Sequence, residues 1–166
     1  MGLSTSGLER AMVTTAGDVG IGTSNPTGIL HCVGNVVVDG ILRISEVTET
    51  LTTLANAGNA IQKTVVHSFT AGALFRHTTI ADNFAANFTN VPTTNDRMNT
   101  LTLMLEQGTN AYIANVCQVA GVTYTIKWQG NAQPTPVSNA VEFQSFFLMR
   151  AANDWKIMSH LTSYGA

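Results

Sequence analysis

The sequence predicts an all-β protein, and three observations carry that expectation. Apolar and polar residues alternate with period two, most cleanly where Val122, Tyr124, Ile126 and Trp128 interleave with Thr123, Thr125 and Lys127. Such runs are separated by clusters of turn residues, as in the stretches 90–96 and 129–139. The composition is the third: only 11% of residues are charged, and Thr, Asn, Ser and Gln supply the remaining polar surface. With 45% hydrophobic residues in a chain of 166, one domain with a substantial core and an accessory segment is expected. The expected organisation is an N-terminal arm over 1–16, a β-hairpin, shaft-like attachment segment over 17–63, and an antiparallel, jelly-roll-like β-sandwich over 64–166.

The first sixteen residues have weak periodicity and no cap. They read as an extended arm that attaches to a larger assembly or, equally, as a disordered terminus. In the stretch 17–35, Val19 and Ile21 alternate with Gly20 and Gly22. That pattern is a short strand with one bare face, where another backbone can come close. Pro26 and Gly28 make a turn, and 29–33 reads as a second strand. A phosphate-binding glycine loop is excluded, because no helical pattern follows Gly22 and Pro26 stands where a helix would begin. Over 36–44, Asp39-Gly40 sits between apolar runs and predicts a hairpin. Val47, Leu51, Leu54 and Ile61 then follow at near-heptad spacing, the seam of a short helix bundling with copies of itself. Abundant Thr, and Gly58, favour a loop or β-shaft instead.

From Thr64 onward the strand pattern is sustained. Val65, His67 and Phe69 share one face, Ala73, Phe75 and His77 the next, Phe84 and Phe88 flank Ala86, and Leu101, Leu103 and Leu105 point inward. The run 141–150 is apolar on both faces, so one face fills the sandwich and the other meets another layer or subunit.

Little in the chain signals chemistry. A net charge of −2 without a basic run gives no footprint for nucleic acid. No stretch has the length and character of a transmembrane helix or a signal peptide. Cys32 and Cys117 read as small packed hydrophobes. The acids are scattered, without the paired carboxylates of a glycosidase. His67 and His77 could face each other on adjacent strands, as packed side chains rather than a metal ring. No catalytic residues, cofactor or metal site are expected. Trp128 with Gln129, Asn131 and Gln133 could offer a ring and amides to a sugar, although Trp128 capping the core is the stronger expectation.

Two stretches carry a resemblance. Val19–Thr23, Pro26, Leu30-His31 and Gly34-Asn35 resemble a segment of bacteriophage tail-fibre and tail-spike proteins, found in trimeric shafts or before an autocleaving chaperone domain. The second context does not apply, since no such domain follows here. The runs 67–97, 101–135 and 141–150, with the loop FTNVPTT and the strand end TIKWQG, are similar to a C-terminal module of fibre-like structural proteins of marine phages, notably cyanophages. The resemblance implies a non-enzymatic virion structural protein on the particle surface. Its N-terminal region would anchor to tail, neck or capsid proteins, and a homotrimeric β-sandwich would project. A receptor-binding module for a host-surface glycan and a capsid decoration protein are the alternatives it allows.

Overall fold

The computed structural model describes residues 2–5, 8–34, 36–61 and 63–165, with side chains from residue 10 onward. The all-β expectation holds: strands dominate, and the helical content is two single 3-10 turns, Phe69–Ala71 and Gln129–Asn131. The chain divides into two compact units, Met1–Val47 and Thr48–Ala166.

The first unit is one four-stranded sheet of β1 (Gly2–Thr5), β2 (Leu8–Val13), β3 (Val19–Ile21) and β4 (Leu30–Cys32), in that order. The segment expected as a bare arm is therefore folded, because β2 pairs antiparallel with both β1 and β3. Strands β3 and β4 run parallel instead of forming a hairpin. The glycines behave as the pattern implied, although the approaching backbone belongs to the same chain. A Cβ on Gly20 would lie 2.4 Å from the Thr23 carbonyl oxygen, and one on Gly22 would lie 2.9 Å from that of Val33. The hairpin expected around Asp39-Gly40 is absent, since 36–44 joins no ladder. A two-stranded ribbon with no layer to cover it gains too little to persist, and Val37 and Ile41 stay 81% and 84% exposed.

The second unit holds two sheets. Strands β5 (Leu51–Ala55), β7 (Leu74–Thr78), β9 (Arg97–Glu106), β13 (Val141–Ala151), β14 (Asp154–Tyr164) and β12 (Ile126–Trp128) make six strands in the order β12-β14-β13-β9-β7-β5. The other sheet has four, β11 (Val122–Tyr124), β10 (Ala114–Val119), β8 (Phe84–Thr89) and β6 (Thr64–Ser68), in the order β11-β10-β8-β6. From β5 to β10 the chain alternates between the sheets, and each strand pairs parallel with the one two places before it. This is a short two-sided coil, which corrects the purely antiparallel expectation. Antiparallel pairing is confined to β9–β13–β14 and the β10–β11 hairpin. Alternating polarity reports which side of a strand is inward and is silent about its neighbour, so both topologies give the same pattern.

Two further corrections follow. Strand β5 already belongs to the body, ahead of its expected start at Thr64, because it lies parallel against β7. No helix forms over the seam. Leu51 and Leu54, three apart in a strand, fall on opposite sides. Leu54 packs on the core, while Val47, Leu51 and Ile61 are exposed. The run 122–128, expected as one strand, breaks at Thr125, so that β11 ends one sheet and β12 joins the other.

The core lies between the sheets. Phe75, Leu101, Leu103, Leu105, Phe146, Leu148 and Ile157 face Val65, Phe84, Ala86, Phe88 and Cys117. Phe88 and Phe146 meet edge to face at 5.1 Å across the layers. Near the β9 and β13 ends, amide side chains replace missing ladder bonds. Gln144 accepts from Ala114 N at 3.0 Å and donates to its carbonyl at 2.8 Å, where the β8–β10 register slips. Gln107 treats Tyr112 the same way. The buried Glu142 carboxylate accepts from Gln107, the Val137 amide and Ser163.

Candidate functional site

Trp128 ends β12, the border strand of the six-stranded sheet. One side of its ring packs on the core, as a capping residue would. It also lines two grooves. The larger, about 390 Å³, is bounded by Lys127, Trp128, Gln129, Phe147, Met158, Ser159 and His160. The register accounts for this grouping. Lys127 pairs with Met158 on β14, and Phe147 of β13 also pairs with Met158. The His160 ring stacks on Phe147 at 5.7 Å and 25°. The smaller groove, about 330 Å³, lies towards β10 and β11 and is lined by Asn115, Val116, Thr123, Tyr124, Thr125, Ile126 and Trp128.

Of the four residues expected to meet a sugar, the fold brings two together in the larger groove, Trp128 and Gln129. Asn131 and Gln133 are exposed on the following loop and line neither groove. Phe147 and His160 are additions that the sequence did not mark. Their signal was the doubly apolar strand 141–150, and pairing with β14 was needed to place His160 beside it. The groove thus offers stacked rings, one ammonium and one amide. That set suits a ligand with an apolar face and hydroxyl edges.

His67 and His77 face each other from opposite sheets, across the sandwich from β6 to β7, and not on adjacent strands of one sheet as expected. Their Nε2 atoms are 2.9 Å apart and both side chains are fully buried. Phe75 and Phe88 flank His67, and Phe84 flanks His77. Burial pushes the His67 imidazolium down to about 3, with the neighbouring His77 adding to the effect. Burial alone brings His77 down to about 4. Both rings are neutral near pH 7, one donating and the other accepting. Neither Nδ1 has a hydrogen-bond partner. With two imidazoles in a box of phenyl rings, the site lacks the further ligands a zinc ion needs. Among the described residues, no three His, Cys, Asp or Glu side chains converge to hold a metal.

Cys117 is buried and Cys32 half-buried, and both are free thiols. Burial raises the Cys117 thiol to about 12, so it packs as an inert apolar group. Among the described residues, no helix is long and apolar enough to cross a membrane. Comparison with protein-family models, with curated proteins and with solved structures found no match.

Proposed function

We propose that this chain is a non-enzymatic structural protein of a phage virion, a fibre or decoration component whose β-sandwich unit assembles as a homotrimer. One observation carries the assembly reading. The outward side of the six-stranded sheet presents Phe143, Phe147 and Met149 from β13, Met158 from β14, and Met98 and Met104 from β9. An outward sheet face that stays in water is ordinarily polar. Here its residues are only half covered, and Met98 is 58% exposed. A face of this composition is suited to another protein layer, and a second and third copy supply one of matching chemistry. The virion setting rests on the fibre-like residues of both stretches named above. The apolar, unladdered segment 36–47 supports the anchoring role, with a particle protein as its cover.

Light scattering tests the assembly. The full chain at micromolar concentration is expected at three times its monomer mass, and Phe147→Glu with Met149→Glu is expected to return it to one. A wild-type chain that runs as a clean monomer overturns the reading.

The second reading is recognition of a host-surface glycan. It is favoured by the groove in which Trp128, Phe147 and His160 present rings beside Lys127 and Gln129. It shares Phe147 with the apolar face, so the two readings meet at one border of the same sheet.

A further inference from the structure

One end of the sandwich sets two arginines face to face. Arg97 opens β9 and Arg150 lies near the end of β13, and the antiparallel register places them directly opposite each other. Strand parity puts both on the inward side, in line with Leu101 and Leu103 on β9 and with Phe146 and Leu148 on β13. Like charges at directly opposed positions repel. Among the described residues, the carboxylate ion pairs are Lys63–Asp82 and Arg76–Glu106, so neither guanidinium is in contact with a carboxylate, although Asp96 precedes Arg97 and Asp154 opposes Ala151 at the same end.

The hydrogen bonds at this end fix Arg150 and leave Arg97 loose. Arg150 Nη1 donates to the Thr93 carbonyl, and its Cζ sits 5.6 Å from the centre of the Trp155 ring, its neighbour on β14. The loop above is clasped by Asn95 and Asn153, and the Asp96 amide donates to the Arg150 carbonyl at 2.8 Å. Arg97 is exposed, with one long bond of 3.4 Å from Nη1 to the Asp96 carbonyl. Beneath it are two buried donors that meet no acceptor, Arg150 Nε and Asn99 Nδ2. Asn99 is two residues from Arg97 and so on the same side of β9. Buried N–H groups are nearly always satisfied, and two orphans beside two arginines that no carboxylate contacts call for the same partner.

We propose that this end of the sandwich binds an oxyanion of carboxylate or sulfate type. Arg150, its Cζ over the Trp155 ring and its Nη1 tied to the Thr93 carbonyl, is fixed in place with Nε left as a donor to one oxygen of such a group. Asn99 supplies a second donor, and exposed Arg97 swings to admit the anion and then closes on it. The anion neutralises the Arg97–Arg150 repulsion and fills both orphaned donors at once. It is either free in solution or carried on an acidic glycan. The site is separate from the aromatic groove, which lies on the outward side of β12–β14, and it stands without the function proposed above.

The test is a titration of the 15N-labelled full chain with sodium sulfate, ionic strength held constant with sodium chloride. The side-chain signals of Arg97, Asn99 and Arg150 report binding. All three are expected to shift together and saturate. Arg97→Gln, whose amide spectrum verifies its fold, is expected to weaken sulfate by about tenfold or more, and Lys127→Gln to leave it unchanged. Shifts that never saturate, or an Arg97→Gln protein that binds as wild type, overturn the proposal. A uronic-acid or sulfated oligosaccharide that displaces sulfate at the same signals identifies the carried form. Sulfate binding that neither sugar displaces identifies the free ion.

Discussion

The His67–His77 pair ties the stability of the fold to pH. In the folded chain both rings are held neutral, with His67 at about 3 and His77 at about 4 against an ordinary 6.5. In the unfolded chain they bind protons below about pH 6.5. Between that pH and about 4 the unfolded state therefore holds more protons, and stability falls as pH falls. Above about pH 7 the pair contributes no slope. Urea unfolding should show wild type losing about 2 to 4 kcal/mol between pH 7 and pH 5 from this source. The double variant His67→Leu/His77→Leu, which removes both polar partners together, should lose most of that dependence. An unchanged slope in the double variant would sink the assignment. That these two residues would face each other was legible in the sequence, since each sits at an inward position of a short apolar run. Their direct bond was not, because it depends on β6 and β7 lying in opposite sheets.

At the scale of elements, the alternation of polarity found the strands from β6 to β9 and the buried faces of Val65, Phe75 and Leu101 to Leu105. It did not find their partners. A strand in a parallel coil and one in an antiparallel sandwich both bury every second side chain. The two antiparallel hairpins have local causes: Ala120-Gly121 and Ala152-Asn153 each take positive φ at both positions, the primed-turn geometry that matches strand twist. Where the coil turns from sheet to sheet no such dipeptide occurs among the described residues. The polar members of β13 were also illegible, because Glu142 and Gln144 look like outward residues of an alternating strand. They are inward and fully buried. Gln144 ties β13 to β10 through both backbone groups of Ala114, so its replacement exposes a dependence between the sheets. Gln144→Leu keeps the volume and orphans a buried N–H and a buried C=O, at a cost of about 2 to 4 kcal/mol. Chemical denaturation measures it. A loss no larger than about 0.5 kcal/mol, the scale of an ordinary surface substitution, would show that the amide bridge is dispensable.

For the molecule as a whole, the low charge goes with an outward sheet face that holds several large apolar side chains. The outward side of the six-stranded sheet sets Met98 and Met104 of β9 and Phe143, Phe147 and Met149 of β13 among Thr100, Thr102 and Ser145, and at its β12 border it opens into the groove of Trp128, Phe147 and His160. On the proposed reading, assembly and recognition would draw on adjoining parts of one face, joined at Phe147. The two contributions separate by mutation, because Trp128 lies at the border and Met149 lies on β13 away from the groove. If the groove recognises a glycan, Trp128→Ala removes the main stacking ring and weakens binding by about tenfold or more, while the mass in solution stays that of the assembly. Met149→Glu does the reverse, lowering the mass and leaving the intrinsic affinity of each groove intact. Phe147→Ala lowers both. A glycan array followed by calorimetry on the strongest hit, with light scattering on the same samples, reads all three variants. Full binding by Trp128→Ala would remove the groove from consideration and leave the apolar face as an assembly surface alone.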